Sequence, residues 1–316
     1  MPSIDMPLER MREYHPALYR QPDFDAYWEE TITEAIKAPL AVELVPYDLP
    51  TRDVDCFAVR FNAFQSGELA GWYLRPKATG PHPALCIYHG YSGRGYRPLD
   101  TLNIAAQGIC VLTFDTRGQN GHSPDRAVYS DGHHSGWMTK GIRIPKEYYF
   151  RNVYADAVRA LEVLATFSEV DSKRIAVSGA SQGGGMSLVA AALSPRPILA
   201  MADIPFLCDF RRAIEIAPAG PYTEIATFLR MHPGLYDQTM RTLSYCDVMN
   251  LAPWIKCKTI VCNCLCDDIC PPSTTFAAYH QITAAKQIEI YPYHKHDVPY
   301  EHQELRFREL IKTLQP

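Results

Sequence analysis

Five continuous apolar runs alternate with helical segments in the part of the chain that follows residue 83. The runs read ALCIYHG, ICVLTFD, RIAVSG, ILAMAD and TIVCNCL, and helical segments such as 152–167 and 182–193 lie between them. A strand that is apolar along its whole length is buried on both faces, as in a parallel sheet that helices cover. The pattern therefore predicts an α/β fold with a mostly parallel, twisted sheet and helices on both of its faces.

The region before this sheet has a different pattern. Val54–Phe61 and Gly67–Leu74 alternate apolar and polar residues, which is typical of antiparallel strands at a sheet edge. Residues 1–40 predict an N-terminal helical extension, with Asp23–Lys37 as its helix.

Residues 205–250 are too many for a simple connection between two elements of such a sheet. They have helical periodicity and are interrupted by proline and glycine, so they predict a small helical cap over the carboxyl edge of the sheet, where folds of this kind bind ligands. No repeat or linker divides the chain, and we expect a single domain over residues 1–316.

Charge and composition exclude several classes of protein. The formal net charge is −4, from 31 basic and 35 acidic residues, without the basic stripe that is typical of a nucleic-acid-binding protein. The first thirty residues contain no apolar signal-peptide core, and the longest apolar stretch, Ile104–Phe114, is much shorter than the ~20 residues of a transmembrane helix. We expect neither nucleic acid nor membrane as a partner, and mostly reduced cysteines.

Four of the ten cysteines lie close together along the chain: Cys262, Cys264, Cys266 and Cys270. The first three alternate in a segment that predicts a buried strand, so we expect them to share one face and to pack as small apolar side chains. Zinc ligands are usually paired on a turn with a two-residue gap, so no metal site is predicted here. The pair His133 and His134 indicates a polar loop rather than a metal site.

The residues GASQG at 179–183 follow a predicted strand directly and begin a predicted helix. This setting is that of the G-x-S-x-G nucleophile elbow of α/β hydrolases. The tight turn requires glycine at positions 179 and 183, because it leaves no space for a side chain there. The start of the following helix adds partial positive charge beside the serine hydroxyl. Ser181 is the predicted nucleophile.

A serine nucleophile needs a base and an acid, which follow it along the chain in the order acid, then histidine. Asp267 and Asp268 both come directly after the predicted strand Thr259–Leu265. Three histidines follow the last predicted strand, Gln287–Tyr291: His294, His296 and His302. Order and spacing leave both choices open.

Two further positions complete the predicted site. The strand Ala84–Tyr88 continues into HGYSG, where an α/β hydrolase places a second oxyanion donor, so the backbone N–H groups of Tyr91 and Gln182 are the expected donors. Arg117, after the next strand, is expected to be a structural clamp on nearby carbonyls or carboxylates. The cap contains three bulky residues that we expect to close the acyl end of the pocket: Phe206, Leu207 and Phe210.

These motifs together resemble the cephalosporin C deacetylase and acetyl xylan esterase family, carbohydrate esterase family seven. The resemblance covers nearly all of the chain and includes HGYSGRG, DTRGQNGHS, GASQGG, CDDICPPSTTFAAYH and IYPYHKHD. The family's acid stands two positions before the turn I-C-P-P, which matches Asp267, and its histidine follows a Y-P-Y element, which matches His296. The chain departs from the family pattern at Asp297, usually glutamate, and at Cys264, usually glycine.

The resemblance implies an α/β-hydrolase fold and a serine esterase that removes O-acetyl groups through an acetyl-enzyme on Ser181. The implied substrates are small acetylated compounds such as acetylated xylo-oligosaccharides and cephalosporin C. It also implies no metal or cofactor, a cytoplasmic location and a homohexamer. The alternatives are a general short-chain carboxylesterase or a peptidase of the same fold. A non-catalytic binding protein is disfavoured because Ser181, Asp267 and His296 are all present.

Overall fold

The computed structural model describes residues 4–131 and 135–315, so the pair His133 and His134 lies outside the described residues. The strands are β1 (Glu43–Pro46), β2 (Val54–Asn62), β3 (Glu68–Pro76), β4 (His82–Tyr88), β5 (Cys110–Phe114), β6 (Val170–Ala180), β7 (Pro197–Asp203), β8 (Lys258–Cys264) and β9 (Lys286–Tyr291). The α-helices are α1 (Leu8–Arg12), α2 (Phe24–Lys37), α3 (Pro98–Ala105), α4 (Tyr149–Thr166), α5 (Gln182–Leu193), α6 (Phe210–Ile216), α7 (Tyr222–Met231), α8 (Tyr236–Cys246), α9 (Val248–Leu251), α10 (Pro272–Gln281) and α11 (Tyr300–Leu314).

All of these strands belong to one sheet with the order β1-β2-β3-β5-β4-β6-β7-β8-β9. The pairs from β5 to β9 in that order are parallel, whereas β1, β2 and β3 pair antiparallel at one edge. The predicted parallel sheet with an antiparallel edge is therefore confirmed. β1 was not predicted, because four mostly exposed residues ending in proline carry little strand signal.

Helices cover both faces of the sheet, as predicted. One apolar core joins a face of the sheet to α2, α4 and α5, with Trp28, Leu161 and Val189 among its buried residues. A smaller core joins the other face to α3 and α11 through residues such as Ala105 and Leu310. The carboxyl ends of the parallel strands meet at one edge between these layers, so the residues that follow those strands are brought together.

The N-terminal extension consists of α1 and α2, and α2 begins one residue later than predicted. Side chains of the extension bond to the 205–250 insertion, which contains α6 to α8 and most of α9. The Trp28 indole donates to the carbonyl of Tyr245 at 2.8 Å, and Asp5 pairs with Arg212 at 2.6 Å. Among the described residues, no helix has both the length and the apolarity that crossing a membrane requires.

The cysteine-rich segment differs in part from the expectation. Cys262 and Cys264 lie on β8 and pack with Ile204 in a small apolar cluster, as predicted. Cys266 lies beyond the end of β8, is partly exposed, and directs its thiol to the carbonyl of Pro292 at 3.3 Å. The expectation that Cys266 shares the strand face was wrong, because the strand ends at Cys264 and the chain turns there.

Candidate active site

Ser181 lies at the sharp turn between β6 and α5, near the centre of the sheet. Its φ of 58° is in the left-handed region, which an ordinary residue adopts only when its surroundings hold it there. Its N–H donates to the carbonyl of Asp203 at 2.9 Å, and its carbonyl accepts the N–H of Phe206 at 2.9 Å. These bonds from the end of β7 and the following loop fix the turn and leave the side chain free to project above the strand ends.

Both glycines of the elbow are required by lack of space. A Cβ at residue 179 would lie 2.6 Å from the backbone of Gly183 and from the carbonyl of Tyr88, and a Cβ at residue 183 would lie 2.1 Å from that same carbonyl. Side chains do not tolerate such distances from backbone atoms, which cannot move aside easily. The G-x-S-x-G spacing therefore follows from how closely α5 approaches β4 and β6.

A chain of hydrogen-bonding groups links Ser181 to two residues that follow other strands. His296 Nε2 lies 2.9 Å from Ser181 Oγ, and His296 Nδ1 lies 2.8 Å from Asp267 Oδ2. Asp267 is almost fully buried, whereas about a quarter of the His296 side chain is exposed. The serine hydroxyl, imidazole and carboxylate have the relative positions of a nucleophile, a base and an orienting acid.

The turn after β8 determines which aspartate faces the histidine. Asp267 Oδ1 accepts the backbone N–H groups of Ile269 at 2.9 Å and Cys270 at 2.8 Å, which leaves Oδ2 for the imidazole. Asp268 points to the surface, where its carboxylate lies 3.9 Å from the ammonium of Lys295. The structure thus brings Asp267, and not Asp268, next to His296.

The two other candidate histidines have different partners. His294 is partly exposed and its Nδ1 lies 2.7 Å from the carboxylate of Asp297, the residue at which the chain departs from the family pattern. His302 is fully buried between Asp203, 3.0 Å away, and the hydroxyl of Tyr291, 3.1 Å away. Neither is placed next to Ser181: His294 stabilises the surface loop, and His302 connects α11 to the ends of β7 and β9.

Tyr91 lies after β4, on the loop that faces the elbow. Its ring contacts the rings of Trp137 and Phe206 edge-on, with centroids 5.2 Å and 5.9 Å apart. Its hydroxyl donates to the Glu224 carboxylate at 2.8 Å and accepts the N–H of Trp137 at 2.9 Å. Burial raises the pKa of Glu224, and the bonds from Tyr91 and Met138 oppose that shift. α7 of the insertion is thereby attached to the loop of Tyr91.

The segment Arg117–Gln119, which follows β5, contacts the elements that carry the site. Arg117 is buried and binds both oxygens of Asp156 on α4, at 2.6 and 2.7 Å, and the carbonyl of Phe64, so its predicted role as a clamp is confirmed. Gln119 donates to the side chain of Gln182 at 2.8 Å. Gln182 is fully buried, and this bond fixes the residue that begins α5.

Of the three bulky cap residues, Phe206 is the one that contacts the ring of Tyr91. Leu207 lies against α5 at Gly185, and Phe210 contacts the ring of Tyr222. All three side chains are fully buried. Of these three residues, we expect only Phe206 to bound the acyl end of the pocket, because its ring packs against that of Tyr91.

Sequence reasoning missed two residues near the site. Glu224 lies in the insertion, where periodicity gives no sign of a contact with a loop more than a hundred residues earlier. Cys270 is buried, and its side chain contacts that of Ser181. Burial, followed by the charge of Asp267, raises the pKa of its thiol well above the usual value. Its position in the turn after Asp267 is a signal that could have placed it near the site.

Comparison with known proteins finds similar proteins over nearly the whole chain. Residues 1–313 match the family model described as acetyl xylan esterase (AXE1). The acetyl esterase Axe7A of Xylanibacter ruminicola is 30% identical over 280 residues, which are 87% of this chain and 63% of that protein. The chain therefore spans less than two thirds of that relative's length.

Solved structures include close matches of equal length. An acetyl xylan esterase from a Paenibacillus species superposes with a TM-score of 0.95 at 40% identity, covering 98% of this chain and all of that one. Acetyl xylan esterase 1 from a Thermoanaerobacterium species gives 0.94 at 32% identity, covering 98% and 99%. An acylaminoacyl peptidase from Pyrococcus horikoshii, at 0.61 and 19% identity, shares the fold. The chain belongs to the acetyl xylan esterase family, within the α/β hydrolases.

Proposed function

We propose that this protein is a serine esterase that removes O-acetyl groups from small acetylated substrates, acetylated xylo-oligosaccharides among them. The observation that carries the proposal is the hydrogen-bonded chain from Ser181 through His296 to Asp267. Membership of the acetyl xylan esterase family supports the choice of an acetyl ester as substrate.

The first step forms an acetyl-enzyme. Ser181 Oγ attacks the acetyl carbonyl carbon while His296 Nε2 accepts the hydroxyl proton, and Asp267 stabilises the imidazolium and holds the ring in the required tautomer. The tetrahedral intermediate collapses when the bond to the sugar oxygen breaks and His296 returns the proton to that oxygen. The alcohol leaves, and the acetyl group remains on Ser181.

The negative charge on the tetrahedral oxygen needs donors that are already in place. We assign the backbone N–H groups of Tyr91 and Gln182, because their residues lie after β4 and directly after Ser181. One such donor is worth about 3–4 kcal/mol of transition-state stabilisation. The buried bond from Gln119 to Gln182 supports this role by keeping the start of α5 in one position.

The second step is hydrolysis of the acetyl-enzyme. His296 removes a proton from water, the hydroxide oxygen attacks the acetyl carbon, and the bond to Ser181 Oγ breaks with return of the proton to that oxygen. Acetate is released and the enzyme is restored. No further reactant is required.

Several further properties are proposed on the resemblance alone. We expect activity on cephalosporin C, whose acetyl ester is also small, and a homohexameric, cytoplasmic enzyme that needs neither a metal nor a cofactor. Initial rates on acetylated xylo-oligosaccharides, cephalosporin C and an acetylated peptide would rank the substrates, and light scattering would give the assembly size.

The nucleophile is tested by replacing Ser181 with alanine. The S181A variant should lose several decades of kcat, because comparable serine enzymes lose up to ~10⁶-fold without the nucleophile. A fluorophosphonate should label the wild-type protein at Ser181, as peptide mapping would show, and should not label S181A. Labelling at another residue, with Ser181 untouched, would refute the assignment.

Acyl length separates this proposal from a general carboxylesterase. We expect the packed rings of Tyr91, Trp137 and Phe206 to form the acyl wall of the substrate pocket. Acyl chains longer than acetyl would then overfill the pocket, and overpacking costs about 1–3 kcal/mol. We expect butyryl esters to react about 5- to 150-fold more slowly than acetyl esters. The measurement is kcat/KM for nitrophenyl acetate, butyrate and octanoate. Faster turnover of butyrate or octanoate would favour the carboxylesterase instead.

A further inference from the structure

Three chemically different donor groups meet beside Ser181: the Asp267 carboxylate, the Cys270 thiol and the His296 imidazole. One donor atom from each lies within 4.8 Å of the other two. Asp267 and Cys270 are each about 1% exposed, and His296 is on the open side of the site. The esterase mechanism uses the carboxylate and the imidazole, but it has no use for a thiol.

This set of donors fits one class of ion. A thiolate, an imidazole and a carboxylate together favour zinc and similar thiophilic ions, whereas magnesium and calcium prefer oxygen ligands alone. With zinc–ligand bonds of about 2.0–2.3 Å, tetrahedral donors lie about 3.3–3.8 Å apart. Because the donor atoms lie within 4.8 Å of one another, they need to approach by at most about 1–1.5 Å to bind one ion. His296 is the most exposed of the three residues, and we expect its loop to make this movement.

We propose that Asp267, Cys270 and His296 form an inhibitory site for zinc or another thiophilic divalent cation. The inhibitory effect rests on the proposed function, because an ion on the imidazole and the carboxylate occupies the base and the acid of the esterase. Binding of the ion itself does not depend on that function.

Binding of the ion requires only the loss of one proton from the protein. The Cys270 thiol loses its proton to solvent and its sulfur binds the ion, while the imidazole binds through an unprotonated nitrogen. Three protein ligands leave a fourth position for water or for the Ser181 oxygen. While the ion is bound, His296 has no free nitrogen with which to accept the proton of Ser181, so acylation stops.

The binding test uses cobalt as a spectroscopic probe in the S181A variant, so that it is independent of esterase activity. Titration with Co²⁺ should give a near-ultraviolet charge-transfer band from a cysteine thiolate in S181A. The band should disappear in S181A/C270S and persist in S181A/C266S. Cys266 is the matched control because it lies in the same turn but directs its thiol to Pro292.

The inhibition test uses zinc chloride with nitrophenyl acetate as substrate, and each variant is compared with its own metal-free rate. Zinc should inhibit the wild-type enzyme, and C270S should need at least about tenfold more zinc for half-inhibition. C266S should behave like the wild type, and magnesium should have no effect. Circular dichroism spectra should be recorded to check that each variant is folded.

The results separate the two proposals. A cobalt band that survives C270S, or one that C266S abolishes, overturns the metal site, as does zinc inhibition that is equal in wild type and C270S. If the protein forms the cobalt band but hydrolyses no acetyl ester, the proposed metal site is supported and the proposed esterase function is refuted.

Discussion

Ser181 combines a strained backbone with a side chain whose position is fixed by its neighbours. A residue in a sparsely populated backbone region costs of order 1–3 kcal/mol and persists only where the surrounding structure imposes it. Here the bonds to Asp203 and Phe206 and the two flanking glycines impose it. The strain keeps the hydroxyl above the strand ends, where His296 can reach it.

Two histidines in one loop allow the base to be tested with a close control. The H296A variant should lose kcat by several decades, because Ser181 loses the group that accepts its proton. H294A should keep nearly all activity, since its ring bonds to Asp297 at the surface. Rates on nitrophenyl acetate measure both variants. A nearly inactive H294A beside an active H296A would reverse the assignment.

At the scale of elements, one carboxylate of α7 holds Tyr91, which belongs to the proposed acyl wall. Glu224 accepts hydrogen bonds from the Tyr91 hydroxyl and from the N–H of Met138, and its side chain is partly buried. Hydrogen bonds to a charged group are worth about 1.5–3 kcal/mol. Removing this carboxylate should therefore loosen the proposed acyl wall. It should not change the geometry of Ser181, His296 and Asp267.

The E224A variant should discriminate less between acetyl and butyryl esters. If about 1 kcal/mol of the overpacking penalty is lost, the ratio of the two kcat/KM values falls about fivefold. E224Q keeps an acceptor for Tyr91 and should lie between wild type and E224A. E215A, an exposed substitution on α6, is the control. An unchanged ratio in E224A would show that Glu224 does not position the wall.

The elements that could be predicted from the sequence are those with local signals. The apolar strands, the helix at Gln182–Leu193 and the elbow at Ser181 each depend on periodicity or on neighbouring glycines, so their types and approximate positions agree with the structure. Some bounds differ, since β6 begins at Val170, four residues before the predicted run. β1 is short and exposed, and gave no such signal. The contact of Glu224 with Tyr91 joins residues 133 positions apart and could not be read from local pattern.

Local sequence also could not decide which aspartate is the acid and which histidine is the base. Asp267 and Asp268 are adjacent, and what separates them is the turn whose N–H groups at Ile269 and Cys270 bind one oxygen of Asp267. His302 is the same kind of residue as His296, but Asp203 and Tyr291 occupy both of its ring nitrogens. Order along the chain does not contain these three-dimensional partners; the family resemblance gave both assignments, and the geometry agrees with them.

At the scale of the whole molecule, the N-terminal segment is bound to the insertion through two buried aspartates. The Tyr14 hydroxyl donates to Asp209 at 2.9 Å, and the Tyr19 hydroxyl donates to Asp247. Asp247 also accepts the N–H groups of Asp209, Phe210 and Met249. Burial, and then the charge of Asp209, raises the pKa of Asp247 to about 7.

This raised pKa predicts how stability varies with pH. The folded pKa lies above the unfolded value, so the protonated form favours the folded state, and its contribution is complete below about pH 4 and is lost as the pH rises to about 7. The D247N side chain does not titrate. Urea unfolding at pH 5, 6 and 7 should show the wild type losing free energy of unfolding relative to D247N.

The exposed variant D237N on α8 provides the control for this measurement, and its difference from the wild type should not vary with pH in this way. If the free energies of unfolding of wild type and D247N stay parallel from pH 5 to pH 7, Asp247 does not titrate in this range.

The position of β9 has a practical consequence for storing or heating this protein. The strand is the last of the sheet and pairs with β8 along one side, yet the loop that follows it carries His296, whereas Ser181 follows β6 in the interior. Edge elements open locally before the interior of a fold does. We therefore expect loss of activity on heating to begin with local opening of β9, and we expect cross-links or substitutions that hold this strand to delay the loss more than changes to the central core.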